Sequence, residues 1–305
     1  MIKIDEFIHK ASELLPGNAQ NLKLGLICIL LNRSLLIEDV PGMGKTTFVK
    51  LLARSFGLKF SRIQFTSDLL PSDILGVSIF QKDSAEFVFK KGPIFAELVL
   101  ADELNRGTPK VQSALLEALE ERQVSIDGIT YPLPAHFSLI ATQNPRGQFG
   151  TYPLPESQLD RFLFKTSMGK LSRAEEINLL SGANPGEEIS KLEKLIPHEE
   201  MNDWIELIKK VKTSQNILEY ILDIVEVTRN TADASGLSPR ATRDLVDAVK
   251  AYAFMNNRDY VIPDDVQFIF PYVAGHRLYN SQTYSIEQEH TKARAILQSV
   301  AVQPK

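Results

Sequence analysis

The stretch Leu35-Leu36-Ile37-Glu38-Asp39-Val40-Pro41-Gly42-Met43-Gly44-Lys45-Thr46-Thr47 decides how the rest of the chain is read. Leu35 to Ile37 is an apolar run suited to a buried strand, and a Pro/Gly turn follows it. Phe48, Leu51, Leu52, Ser55 and Phe56 then recur at helical spacing. Strand, Gly-rich loop and helix, in that order, is the setting of a phosphate-binding loop. Backbone N–H groups and a helix N-terminus there face phosphate oxygens. Pro41, Gly42, Met43, Gly44, Lys45, Thr46 and Thr47 are the candidate nucleotide-binding residues. Lys45 can reach the β- and γ-phosphates, and the Thr46 hydroxyl can ligate Mg²⁺. One position departs from G-x-x-x-x-G-K-[ST]: Asp39 stands where the first glycine is expected. Aspartate tolerates unusual backbone angles better than most residues, so the loop can still close. The competing reading, a plain Gly-rich turn beside a surface lysine, does not account for the flanking strand and helix.

Working outward, Ile94 to Asp102 reads as a second buried strand, and it ends in the acids Asp102 and Glu103. Asp102 can hold Mg²⁺ directly or through water. Glu103 can polarise an attacking water. The bland alternative for the pair is a helix cap with a first-turn acid. Asn144 closes a third apolar run, Phe137 to Thr142. Ligands of open α/β sheets bind at the carboxyl ends of strands, so its amide can hold the water or meet the γ-phosphate. An ordinary Asn-Pro turn is its alternative. Arg161 and Arg240 are the candidate cations for transition-state charge, because a guanidinium offers a planar fork to phosphate. Surface salt bridges would explain them equally well at this level. The five histidines lack ligand spacing and read as surface or capping residues. Tyr152, Tyr252, Tyr260 and the sixteen Phe read as core.

The chain of 305 residues has room for one large or two modest domains, and its 44% hydrophobic and 24% charged content suits a globular protein. No apolar run approaches the ~20 residues of a membrane span, and the mixed-charge start is unlike a signal peptide. Cys28 is the single cysteine and reads as a buried thiol, which points to a reducing, cytoplasmic setting. A net charge of −4 argues against a broad nucleic-acid surface. Helical spacing predicts helices over 3–15 and 19–31, broken at Pro16-Gly17-Asn18. A strand is expected from Phe60 to Phe65, and a short helix between Ser67 and Gly76. Two hairpins are expected. One pairs residues 77–80 with 86–89, and the other turns at Asp127-Gly128. Leu159 to Phe164 is an apolar run with Asp160-Arg161 embedded in it. Beyond Gly169 the period is helical throughout, with a capping box at Ser172–Glu175 and helices near 198–211, 215–231, 239–255, 264–271 and 285–300. Strands alternating with helices up to about residue 166 call for a parallel α/β sheet.

Taken together, the motifs resemble the MoxR family of AAA+ ATPases. The resemblance rests on Val40–Thr46, Ala101-Asp102-Glu103-Leu104-Asn105-Arg106, Leu115-Leu116-Glu117-Ala118-Leu119-Glu120-Glu121, Ala141-Thr142-Gln143-Asn144-Pro145 and Leu154–Phe162. It implies an α/β P-loop core over 1–168, with flanking helices and two β-hairpin inserts, and an all-helical lid domain over 169–305. It implies Lys45 and Thr46 as Walker A, Asp102 and Glu103 as Walker B, and Asn144 as sensor 1. Arg161 would be an arginine finger acting on a neighbouring subunit, and Arg240 a sensor 2 on the lid. ATP and Mg²⁺ would be the ligands, and a homo-oligomeric ring, a hexamer, the assembly. The implied work is chaperone-like maturation or metal insertion on partners such as von Willebrand factor A domain proteins. The ATPase subunit of a chelatase-like complex, or a nucleotide switch with little turnover, are the alternatives. Neither nucleic acid nor membrane integration is expected.

Overall fold

The structure is a computed structural model that describes residues 2–40, 42–83, 85–145, 150–169, 173–180, 185–192, 194–231, 234–279 and 283–301. In chain order the elements begin with α1 (Ile2–Leu14), α2 (Ala19–Leu30), β1 (Ser34–Glu38), α3 (Lys45–Phe56), β2 (Phe60–Gln64) and α4 (Pro71–Leu75). Next come β3 (Gly76–Gln81), β4 (Glu86–Lys91), β5 (Leu98–Asp102), α5 (Pro109–Glu121), β6 (Gln123–Ile126), β7 (Ile129–Pro132), β8 (Ser138–Gln143), α6 (Glu156–Leu159) and β9 (Phe164–Thr166). The remainder is helical: α7 (Arg173–Leu180), α8 (Pro185–Ser190), α9 (His198–Lys210), α10 (Gln215–Asn230), α11 (Pro239–Met255), α12 (Pro263–Leu278) and α13 (Ile286–Ser299).

Among the described residues, five strands form one parallel sheet in the order β2-β5-β8-β1-β9. Its central strands are apolar on both faces because both faces are covered. Leu35 and Ile37 of β1, Leu98 and Leu100 of β5, and Ile140 of β8 pack into one core with α1–α3 and α9–α13. The alternate residues, Leu36, Val99, Ala101, Leu139 and Ala141, pack into a second core with α5 and the hairpins. The helical region therefore shares a core with α2 and α3. Its helices start where the sequence provides caps. The Ser238 hydroxyl accepts from the Ala241 N–H at 3.1 Å. Ser285 and Gln288 cap each other reciprocally at 3.3 and 2.9 Å.

Both expected hairpins are present, β3–β4 and β6–β7. Asp127 (φ 52°) and Gly128 (φ 79°) both take positive φ, the requirement of a two-residue type I′ turn. Several expectations need correction. The region expected to be one strand from Ile94 to Asp102 is a 3₁₀ turn at Pro93–Phe95 followed by β5. The apolar run after Leu159 ends in a short strand, β9, that periodicity does not announce. The helix expected to stop near residue 271 runs on to Leu278 through Pro271. It is buried along most of its length, so packing outweighs the roughly 3 kcal/mol an internal proline costs. His276 and His290 are buried, not superficial. Their Nε2 atoms pair with the Phe162 and Lys165 carbonyls at 3.0 and 3.3 Å. Tyr152 and Tyr260, expected in the core, are exposed, as are Phe80 and Phe87 on the first hairpin. The capping box expected at Ser172 lies outside the described residues.

Candidate active site

β1, β5 and β8 are neighbours and run parallel, so the residues that follow them emerge on one edge. There the phosphate loop, Asp102-Glu103 and Asn144 meet. Gly42 (φ +88°) and Gly44 (φ +79°) shape the loop, and nothing lies within 4 Å of where a Cβ would sit on either. Pro41 lies outside the described residues. Lys45 opens α3 and is buried, its Nζ donating to the Asp39 carbonyl at 2.5 Å. Burial lowers its pKa, opposed by Asp39, Asp102, Glu103 and Glu38 around it. Met43, Thr46 and Thr47 are half-buried beside it.

The acids are held by Thr142 on the adjacent strand. Its hydroxyl donates to Asp102 Oδ1 at 2.6 Å and accepts the Glu103 N–H at 2.9 Å. Arg62 grips Asp102 Oδ2 through Nη2 at 2.6 Å and Nε at 3.1 Å. Glu103 sits in left-handed backbone geometry (φ 57°, ψ 45°), a strained state for a non-glycine residue. Arg106 and Gln64 donate to its Oε2 at 2.9 and 3.1 Å, and Asn144 Nδ2 to its Oε1 at 3.4 Å. The amide and carboxylate that could share one water are thus already side by side.

The Thr46 hydroxyl and the Asp102 carboxylate are hard oxygen donors of the type Mg²⁺ takes together with phosphate and water. Thr142 and Arg62 orient the Asp102 carboxylate, and Oδ1, with one donor on it, keeps a free acceptor site. Among the described residues no group of three or more His, Cys, Asp or Glu is placed to hold a metal alone.

Arg161 and Arg240 are elsewhere. The Arg161 carbonyl accepts from Ser34 Oγ at 2.9 Å, and Ser34 starts β1 while the phosphate loop follows its end. Five strand residues separate those ends by about 13 Å. The Arg161 side chain turns to the C-terminal half of α5, donating to the Leu116 carbonyl at 2.6 Å and pairing with Glu120 Oε2 at 2.9 Å. Arg240, in the first turn of α11, pairs with Glu120 Oε1 at 2.9 Å. The structure brings Lys45, Thr46, Asp102, Glu103 and Asn144 together on one edge, and the two arginines together on the other.

Comparison with known proteins identifies the family. Residues 34–164 match the ATPase family associated with various cellular activities (AAA), and residues 228–300 match the AAA lid domain. The uncharacterized protein YeaC of Bacillus subtilis is 44% identical over 97% of this chain and 93% of its own. Chaperone MoxR1 of Mycobacterium tuberculosis is 37% identical over 98% of this chain and 82% of its own. The crystal structure of a candidate ATPase from Cytophaga hutchinsonii superposes with a TM-score of 0.86 at 36% identity, covering 99% of this chain and 95% of that one. The chain belongs to the MoxR family of AAA+ ATPases.

In this MoxR-family chain the departure at Asp39 has a local explanation. Its carboxylate accepts the Val40 N–H at 2.8 Å and the Met168 N–H at 3.0 Å. It therefore ties the loop to the segment that leaves β9. Sequence reasoning missed Thr142, Arg62, Gln64 and Arg106. Thr142 lies within a quoted motif but reads as one more strand residue. Arg62 and Gln64 share one face of β2, and that polar pair at period two was the available signal.

Proposed function

We propose that this chain hydrolyses ATP as a subunit of a homo-oligomeric ring, a hexamer, with residues 1–168 as the nucleotide-binding core and 169–305 as the lid. Lys45 and Thr46 hold the phosphates from the loop. Mg²⁺, when bound at Thr46 and Asp102, supplies charge neutralisation between the β- and γ-phosphates. Glu103 accepts a proton from the attacking water while Asn144 orients it. Arg161 and Arg240 serve the neighbouring subunit's nucleotide. The observation that supports this reading is the separation of the two sets: the arginines sit at the opposite edge of the sheet from their own phosphate loop. A complete site then needs two chains. The work done with that energy is maturation of partner proteins, metal insertion included, with von Willebrand factor A domain proteins as the partner class. A relative's name, Chaperone MoxR1, supports the chaperone part of this reading. The single cysteine and a charge of −4 support a cytoplasmic setting without nucleic acid. Among the described residues no helix is long and apolar enough to cross a membrane.

The test is complementation. Lys45→Ala and Arg161→Ala should each be nearly inactive alone, since a finger contributes roughly 10³–10⁵ in rate. Mixed, they should recover ATPase activity, because some interfaces pair an intact Lys45 with an intact Arg161. Mixed rings, seen by light scattering, without recovered turnover would refute the shared site.

A further inference from the structure

Glu120 is the point where the two arginines meet. Each of its carboxylate oxygens is taken by a different guanidinium, Oε2 by Arg161 and Oε1 by Arg240, both at 2.9 Å. Two like charges are thereby held within the span of one carboxylate, where without it they would repel. A second device holds the same pair from behind. The Arg277 side chain, on α12, is 3% exposed and donates to Asp160 Oδ1 at 2.8 Å, the Asp160 carbonyl at 3.0 Å and Asp244 Oδ2 at 2.9 Å. Asp160 directly precedes Arg161, and Asp244 lies one turn beyond Arg240 on α11. The segments carrying the two arginines are therefore cross-linked at the backbone side by Arg277 and at the side-chain ends by Glu120. Both side chains remain partly accessible: Arg161 is 26% exposed and Arg240 39%. Each guanidinium carries five N–H donors, more than Glu120 and the Leu116 carbonyl can occupy.

We infer that Glu120 is a positioning residue that holds Arg161 and Arg240 as one two-pronged donor for the phosphate of an adjacent subunit's nucleotide. The inference rests on the shared-site reading above. Glu120 acts through the arginines, so it affects the chemical step and not nucleotide capture, which belongs to the other chain's Lys45.

Steady-state kinetics of Glu120→Gln test it. The expected result is a kcat about 10- to 100-fold lower, the scale of loss from a misplacement near 1 Å, with KM for ATP unchanged. Glu120→Asp, which keeps the charge, should recover part of that loss. Glu120→Gln added to an Arg161→Ala/Arg240→Ala double variant should cost nothing further. Mixed with Lys45→Ala it should regain activity, and mixed with Arg161→Ala it should not. A parental kcat for Glu120→Gln, or a full additional loss on the Arg161→Ala/Arg240→Ala background, overturns the inference. If melting shows Glu120→Gln to be unfolded, Glu120→Asp alone decides: parental kcat with parental KM counts against it. Recovery in the Lys45→Ala plus Arg161→Ala mixture beside a parental Glu120→Gln would sink this inference alone. No recovery in that mixture would sink the shared site itself.

Discussion

Glu103 is held in a backbone conformation it would not choose, and the reason lies one strand away. Its N–H is committed to the Thr142 hydroxyl, which is itself committed to Asp102. The Glu103 carboxylate is consequently delivered to Asn144 and not left to swing as a first-turn helix acid. This geometry predicts that Glu103→Gln will still bind ATP but lose 10²–10⁴-fold in turnover, the usual range for a positioned acid–base group. Calorimetric titration and steady-state rates measure the two halves separately. Hydrolysis at the parental rate would reduce Glu103 to an ordinary ion-pair partner of Arg106.

At the scale of elements, the first hairpin stands out because neither of its faces is fully covered. Phe87 is 73% exposed and Phe80 50%, with their rings 5.3 Å apart. Phe89, on the same strand, instead stacks on Tyr131 of the second hairpin at 4.2 Å and meets Phe95 edge-on at 5.8 Å. The hairpin base is thus part of the core, while the end beyond it projects. Exposed aromatic side chains clustered in this way mark interaction sites. Replacing Phe80 and Phe87 together with Ser should cost no more than about 2 kcal/mol of stability, the sum of two surface changes and one aromatic pair, and lower partner-stimulated turnover. A loss of several kcal/mol in urea unfolding would place the tip in the core instead.

At the scale of the whole molecule, the lid is fastened to the sheet by buried charge. Lys165 of β9 donates to Glu289 of α13 at 3.0 and 3.2 Å and pairs with Glu38, at the end of β1, at 3.2 Å. Removing one member of such a buried network costs roughly 3–5 kcal/mol. His290 and His276 lie in the same seam. Burial lowers the His290 pKa from 6.5 to about 4, with Arg294 and Lys165 acting in the same direction, and holds His276 well below 6.5. In both cases the unfolded chain takes up the proton first as pH falls. Their contribution to stability is complete above about pH 6.5 and lost on descent toward the folded value. His290 alone should remove about 2 kcal/mol between pH 7 and pH 5. Urea midpoints at the two pH values, compared between the parent and His290→Gln, measure it. An equal pH dependence in both chains would show that His290 is not held neutral by the fold.

Much of this molecule was legible from local pattern. Strand, loop and helix around Lys45, acids after β5, an amide after β8 and the Asp127-Gly128 turn are short-range features, set by sterics and by period-two or 3.6-residue burial. They appear in the structure where spacing placed them. Three things were decided only by tertiary packing. β9 has three residues and no period, and it exists because the edge of β1 was free to pair. α12 continues past Pro271 because its neighbours bury it on most sides. The grouping of the site residues is the largest of the three. Sequence names Lys45, Glu103, Arg161 and Arg240 as parts of one chemistry, and the resemblance implies that Arg161 acts on a neighbour; the physical separation arises because a parallel sheet sends strand ends and strand starts to opposite edges. The direction of β1 between Ser34 and Glu38 thus separates the arginines from their own phosphate loop.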